Sequence, residues 1–257
     1  MTLITSRAGR TSLVSAAVIA LSLALSACAP AGDVATLSDD PTNEATSPDR
    51  ANLVPEEPDL DGPGIDFTDK NEITAEASIL DKYPKLDPSR QIPRNLLATA
   101  LTYYDSNLSK IKNQKYLSII DMSLPSTKRR YWIVDMSSGS VFATTVAHGK
   151  GSDANHDGYA EKFSNTSGSN ATSLGIYVTG ATYSGSNGYS LRLDGKSSTN
   201  SNARSRAVVV HGASYVQDKE VKQGRSWGCP AVPMAYRTKV IDWIKNGSVM
   251  YIGQSAK

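Results

Sequence analysis

Apolar residues follow two different periodicities along this chain, and each predicts a different kind of element. Between Gln91 and Lys110 they recur at helical spacing and form one face of a predicted helix, with Leu97, Leu101, Tyr104 and Leu108. Further on they come in short runs of strand length. These runs are Leu117–Met122, Tyr131–Met136, Val141–Ala147, Leu174–Thr179, Tyr189–Leu193, Ala207–His211 and Val249–Ile252. The pattern therefore predicts a mainly β domain with a helical lead-in that ends at about residue 112.

A second helix is predicted from Pro233 to Asn246, and Gly247 has the position of its C-cap. The residues expected on its inward face are Tyr236, Val240, Trp243 and Ile244. Between Ser164 and Ser205 the chain is rich in Ser, Asn, Gly and Thr, so long polar loops are expected to join the strands there. The helices are thus expected at the periphery of the β domain.

The first 28 residues have the pattern of an export signal. Arg7 and Arg10 form a basic start, and residues 13–25 are apolar or small, a stretch too short to span a bilayer comfortably. The stretch ends in Leu25-Ser26-Ala27-Cys28, which resembles the lipobox of bacterial lipoproteins. The resemblance implies that Cys28 is lipidated after cleavage and anchors the protein to a membrane. An ordinary signal peptide cut near the same place is the alternative.

Residues 29–64 are predicted to form a disordered tether and residues 65–257 a folded domain. The tether holds nine acidic residues, one basic residue (Arg50) and six prolines, so it buries too little apolar area to offset chain entropy. The domain carries 24 Lys and Arg against 16 Asp and Glu, and its net charge of +8 suits attraction to an anionic polymer outside the cell. The whole chain has a formal net charge of only +2, which argues against a nucleic-acid-binding protein.

Cys229 is the candidate nucleophile. It is the one cysteine after Cys28, and an exported protein meets an oxidising environment in which a free thiol is a liability without a role. The preceding Gly228 permits a tight turn that aims neighbouring N–H groups at one point, as an oxyanion hole requires. Arg225 lies close enough in sequence to favour a thiolate. A buried structural cysteine is the alternative interpretation.

Two of the three histidines are candidates for a base that activates this thiol. His211 ends a β run and precedes Gly212, and His148 likewise follows apolar residues and precedes a glycine. A strand end holds an imidazole rigidly and leaves room for substrate. His156 lies in a polar loop, where a solvated ring is expected. Spacing alone does not choose between His211 and His148, and no His-x-x-x-His pairing indicates a zinc site.

Two short motifs resemble the signature of the L,D-transpeptidase (YkuD-like) catalytic domain: His211-Gly212, and Ser226-Trp227-Gly228-Cys229, whose cysteine lies 18 positions after His211. Other segments are similar to the branch known as the murein L,D-transpeptidase catalytic domain. These segments are Ala147–Ser152, Phe163–Asn165, Ser173–Gly175 and Arg225–Ala231. The resemblance spans roughly Leu117 to Ile252. It implies a mixed β-sandwich or barrel with a few peripheral helices, Cys229 as nucleophile, His211 as base, and a backbone carbonyl that orients His211.

The chain departs from the commoner family pattern after the cysteine. Pro230 and Ala231 stand where an aliphatic residue and a substrate-holding arginine are usual, so carboxylate recognition is expected from another arginine. Charge alone offers Arg225, Arg206 and Arg237 as candidates.

The positions just before the cysteine carry the remaining predicted site roles. Trp227 replaces a histidine that is common in the family, at a position that contributes its backbone. We expect Trp227 and Gly228 to supply the backbone of the oxyanion hole, and Ser226 and Arg225 to bind substrate.

The resemblance also implies the reaction. Cys229 would form an acyl-enzyme thioester with a peptidoglycan tetrapeptide stem and pass the acyl group to an amine of a second stem, which makes a 3→3 cross-link without a cofactor. The alternatives are an L,D-carboxypeptidase or endopeptidase on the same stems, and a non-catalytic peptidoglycan-binding lipoprotein. The expected location is outside the cell membrane facing the cell wall, on the periplasmic side of an outer membrane if the envelope has two membranes.

The segment Asp153-Ala154-Asn155-His156-Asp157-Gly158 resembles the start of a calcium loop, with oxygen ligands at alternate positions and glycine sixth. Position twelve is Ser164 rather than a bidentate glutamate. A polar turn is therefore the favoured interpretation over a site formed by Asp153, Asn155 and Asp157, and no metal is predicted.

Overall fold

The computed structural model describes residues 70–255. Within them the chain forms three α-helices, α1 (Lys70–Lys82), α2 (Arg94–Ser106) and α3 (Arg237–Ile244). Its strands are β1 (Tyr116–Asp121), β2 (Tyr131–Asp135), β3 (Val141–Thr144), β4 (Gly175–Gly185), β5 (Gly188–Gly195), β6 (Val209–Ala213), β7 (Ala231–Pro233) and β8 (Val249–Gly253). The predicted signal peptide, Cys28 and the tether lie outside the described residues. Among the described residues, no helix has the length and apolar character needed to cross a membrane.

The eight strands form one sheet in the order β3-β2-β1-β8-β4-β5-β6-β7. The pairs β1–β8 and β6–β7 are parallel, and the remaining neighbours are antiparallel. Ala147, just beyond the edge strand β3, pairs with Ala231 of the opposite edge strand β7. This bridge brings the two edges together, so the sheet is close to a closed barrel. The predicted mainly β fold with a few helices is confirmed.

Alternation along the central strands creates two apolar cores. On β1, Leu117 and Ile119 face a core shared with α2, and Ile120 faces the other core. The second core includes Val240 and Ile241 of α3. Because both faces of β1 are covered, this strand is almost wholly buried and gives the sheet a rigid centre.

The first predicted helix is shorter than its apolar pattern. The carboxylate of Asp87 accepts hydrogen bonds from the backbone N–H groups of Gln91 and Ile92, at 2.9 Å each, and holds that segment in a turn. Pro93 then occupies the N-cap, and α2 begins at Arg94. Leu108 falls in a separate 3-10 turn after α2. Local side-chain bonds to the backbone therefore set the helix start, which periodicity does not show.

The second predicted helix and the polar loops also differ from the pattern. Pro233 belongs to β7, so the chain passes through a 3-10 turn (Met234–Tyr236) before α3 begins, and Lys245 rather than Gly247 takes the C-cap. In the Ser- and Gly-rich region the two predicted strands are present as β4 and β5, but they extend towards each other into a hairpin in place of the long polar loop expected between them. In this hairpin β4 and β5 are joined by two residues, since Gly185 pairs directly with Gly188.

Candidate active site

Cys229 lies in a tight turn, residues 226–230, that leads into β7. The Ser226 hydroxyl accepts a hydrogen bond from the Gly228 N–H at 3.1 Å and donates one to the Cys229 carbonyl at 2.7 Å. Gly228 has φ +115°, and a Cβ there would lie 2.8 Å from the Ala171 carbonyl oxygen. The turn therefore requires glycine before the cysteine. The Cys229 side chain is 8% exposed, and its Sγ is 3.8 Å from the Ala207 carbonyl oxygen.

His211 lies at the centre of β6, beside this turn, and not at the end of a strand as predicted, because β6 begins at Val209 and continues to Ala213. It is in register with Ala231 of the parallel strand β7, two residues beyond Cys229. Two residues of chain span at most about 7 Å, so the thiol and the imidazole belong to one small region of the molecule. The Nδ1 atom of His211 is 3.2 Å from the Gly212 carbonyl oxygen. Because a carbonyl only accepts, Nδ1 carries the proton, and Nε2 is the basic nitrogen of the neutral ring.

His148, the other candidate base, is held in a different way. Its Nδ1 is 2.7 Å from Nη2 of Arg130 and its Nε2 is 3.0 Å from Oδ2 of Asp153, and all three residues are buried. A guanidinium only donates, so Nδ1 accepts and the Nε2–H donates to the carboxylate. Burial and the positive charge of Arg130 lower the pKa of His148 to about 4. With both nitrogens engaged and the ring neutral, His148 is unsuited to take a proton from Cys229.

Ser226 and Gly228 hold the shape of the turn. The Ser226 side chain is fully buried and both of its hydrogen bonds stay inside the turn. The Gly228 N–H donates to the Ser226 hydroxyl and is therefore engaged. The next backbone donor along the chain that could bind an oxyanion is the N–H of Cys229. Substrate contact by Ser226 stays a prediction.

Trp227 and Arg225 are partly exposed beside the turn. The Nζ of Lys150 lies 4.6 Å from the centroid of the Trp227 ring, a cation–π distance. The guanidinium of Arg225 donates to the backbone carbonyls of Asp153 and Ala154. Arg225 thus links the Cys229 turn to Asp153 and Ala154, in the segment that follows His148.

The other two candidate arginines have contrasting surroundings. Arg206 is only 7% exposed, and its guanidinium donates to the carbonyls of Ser164 and Ala171 and to two serine hydroxyls. Arg237, by contrast, lines a cavity of about 390 Å³ together with His211. Its Nε is buried with no hydrogen-bond partner among the described residues. Arg237 is therefore the candidate arginine that lines open space beside the imidazole.

The segment 153–158, which resembles the start of a calcium loop, is held by hydrogen bonds between its own residues. The Asp153 carboxylate accepts the N–H groups of Asp157 and Gly158, each at 3.0 Å, in addition to His148. Nδ2 of Asn155 donates to Asp157, and Nε2 of His156 is 3.1 Å from the Gln223 carbonyl oxygen. His156 is thus half-buried and engaged rather than simply solvated. In the described part of the chain, no group of three His, Cys, Asp or Glu side chains could hold a metal ion.

Comparison with known proteins agrees with this geometry. A family model described as the L,D-transpeptidase catalytic domain matches residues 88–252, which cover most of the chain. The chain therefore belongs to the L,D-transpeptidase catalytic domain family. No curated protein sequence matches it.

Sequence reasoning missed the residues that surround His148. Arginine and aspartate are almost never fully buried unless paired, so nothing in the pattern indicated that Arg130 and Asp153 lie inside the protein. His211 and His148 also look alike in sequence, because each follows apolar residues and precedes a glycine. Only the partners of each ring separate them.

Proposed function

We propose that this protein is a cell-wall L,D-transpeptidase in which Cys229 is the nucleophile and His211 the base. The observation that carries the proposal is the pairing of β6 with β7, which sets His211 beside the Cys229 turn with its Nδ1 directed at the Gly212 carbonyl. A base needs a fixed ring and a basic nitrogen; the hydrogen bond from Nδ1 to the Gly212 carbonyl fixes the ring and makes Nε2 the basic nitrogen.

The reaction follows from these two groups. Nε2 of His211 takes the Sγ proton, and the thiolate attacks the carbonyl that joins a diamino acid to D-alanine in a peptidoglycan stem. The tetrahedral intermediate collapses with cleavage of the C–N bond, and the leaving D-alanine amine takes the proton from His211. The thioester is then attacked by an amine of a second stem, whose proton passes through His211 to the departing thiolate. The Cys229 N–H is the proposed oxyanion donor, held in place by the Ser226 hydroxyl.

Arg237 is the proposed substrate-binding arginine, and a carboxylate of the stem peptide is its ligand. Its Nη1 lies against Gly188 in the β4–β5 hairpin, where an added Cβ would be 3.0 Å away. Arg237 lines the same cavity as the base, so its pairing with a carboxylate would hold the stem peptide beside the imidazole of His211. We expect Arg237→Gln to raise KM for a tetrapeptide stem at least tenfold with a small effect on kcat. Arg204→Gln, which removes a partly exposed ion pair with Asp194, is the matched control.

The cellular setting is proposed from the sequence alone. Export, lipidation of Cys28 and an acidic tether would hold the catalytic domain within reach of the wall. Mass spectrometry of the N-terminus after expression in a bacterium tests the anchor. A mature chain that starts at an acylated Cys28 supports it, and an unmodified N-terminus would contradict it.

The decisive test of the reaction is intact-protein mass spectrometry. The full-length protein in mild detergent is incubated with a disaccharide-tetrapeptide, beside Cys229→Ala, and the products are separated by liquid chromatography. A thioester on the wild type alone, together with a cross-linked dimer, is the expected result. An adduct with only tripeptide product would favour the carboxypeptidase. No adduct and no product would favour the non-catalytic wall-binding lipoprotein.

A further inference from the structure

A buried polar chain with no part in the proposed reaction runs through the protein directly behind the Cys229 turn. Arg130, His148 and Asp153 are each at most 1% exposed. Arg130 donates through Nε and Nη2 to the Val146 carbonyl, at 3.2 and 2.9 Å, and through Nη1 to the Leu124 carbonyl at 2.8 Å. Its Nη2 also reaches His148, which in turn reaches Asp153. We call these three residues the Arg–His–Asp chain.

The Arg–His–Asp chain is connected to the segment 147–150, and the backbone of that segment hydrogen-bonds to the Cys229 turn. The Ala147 N–H donates to the Ala231 carbonyl at 2.9 Å, after the cysteine. Before the cysteine, the Ser226 N–H donates to the His148 carbonyl at 2.9 Å, and the Lys150 N–H donates to the Ser226 carbonyl at 2.8 Å. Residues 147–150 therefore fix both ends of the turn.

Residues 147–150 also pack closely against the centre of the Cys229 turn. A Cβ on Gly149 would lie 2.8 Å from the N and Cα atoms of Gly228. A small displacement of residues 147–150 would thus be passed to Gly228 and to the cysteine after it. Arg225 adds a further tie, because its guanidinium donates to the Asp153 carbonyl.

We propose that the Arg–His–Asp chain positions the Cys229 turn for reaction with His211, with His148 as the central positioning residue; the inference rests on the proposed function of that thiol. The chain is suited to this task because each member has a fixed donor or acceptor role. Arg130 only donates and Asp153 only accepts, so the neutral His148 ring fits between them in one tautomer and one orientation. An apolar core at the same place would fill space without fixing the register of residues 147–150.

Three variants test the proposal in the full-length protein. In His148→Gln the amide oxygen can accept from Arg130 and the amide N–H can donate to Asp153, so the chain is kept. His148→Phe fills the space and breaks it, and Asp153→Asn weakens one end. Thr179→Val is the matched control, because Thr179 is 2% exposed and its hydroxyl bonds to the Ile244 carbonyl, remote in sequence from the Cys229 turn.

The readout is the rate of thioester formation per folded molecule, measured against tetrapeptide concentration at a temperature where each variant is folded. We expect His148→Phe to lower the maximal rate on the order of 100-fold with little change in the half-saturating concentration, since a misplacement of about 1 Å can cost that much. His148→Gln should restore most of the rate. Thr179→Val should lose stability and keep the wild-type rate.

The outcomes separate this inference from the proposed function. If the wild type forms no thioester, the proposed function fails and the inference with it. If the wild type reacts and His148→Phe reacts equally fast per folded molecule, the inference alone is overturned. Should His148→Phe not fold, Asp153→Asn decides: a wild-type rate overturns the positioning role, and a reduced maximal rate at unchanged half-saturation supports it.

Discussion

Acidification should destabilise this protein through a single buried imidazole. The pKa of His148 is lowered from 6.5 to about 4, chiefly by burial and by the charge of Arg130. Between these two values the unfolded chain binds a proton at His148 that the folded protein refuses. The stability contributed by the neutral His148 is therefore complete above pH 6.5, falls as the pH drops towards 4, and levels off below that. The gap corresponds to roughly 3 kcal/mol, a large part of the stability of a domain of this size.

The assay is equilibrium unfolding in urea, followed by tryptophan fluorescence at several pH values between about 7 and 4, with His148→Gln measured in parallel. Carboxylates remote from His148 also titrate in this range, but they do so in both proteins, so the difference between the two free energies of unfolding isolates His148 and its partner Asp153. The wild type should lose about 3 kcal/mol more than the variant across the range. A difference that stays constant with pH would refute the assignment of a neutral, engaged His148.

Three further predictions concern the turn and its arginines. Gly228→Ala forces φ +115° on a residue with a Cβ and should lower the free energy of unfolding by about 1–3 kcal/mol, measured in urea. Gly212→Ala should raise KM several-fold in a folded protein, because the new Cβ would lie 2.8 Å from Cβ and Cδ of Arg237; an unchanged KM would contradict the role given to that arginine. Arg206→Met leaves buried carbonyls without a donor and should cost about 2–4 kcal/mol of stability with KM unchanged.

Most of the fold could be predicted because the strands and helices bury one face or both. The predicted run Val141–Ala147 shows where periodicity stops being informative: β3 ends at Thr144, and the rest of the run leaves the strand to bridge to β7. The three-residue strand β7 carries too little pattern to be recognised, and its existence depends on its partners. Long-range pairing of this kind is set by tertiary structure and not by local sequence.

The sequence predicted the candidate nucleophile and base, but it did not predict the residues that hold them in position. Cys229 stands out because a free thiol is an unusual choice in a protein predicted to be exported, and His211 stands out as a histidine that follows an apolar run and precedes a glycine. The roles of His148 and Arg237 depend on what their polar atoms face, and one sequence does not contain that information. Charge alone treats Arg206 and Arg237 alike, although one is saturated by carbonyls and the other borders a cavity.

The bridge from Ala147 to Ala231 has a consequence for solubility. An exposed strand edge is a template for pairing with another chain, and a sheet that closes on itself removes that hazard. On the β7 side, the edge is closed by the backbone of residues 147–150, which also hydrogen-bonds to the Cys229 turn. On the β3 side, the Arg129 guanidinium donates to the Ala143 carbonyl at 3.1 Å. Loss of the hydrogen bonds between residues 147–150 and the Cys229 turn would therefore expose an unpaired strand edge and also displace the thiol. Aggregation and loss of activity would then arise together from one defect.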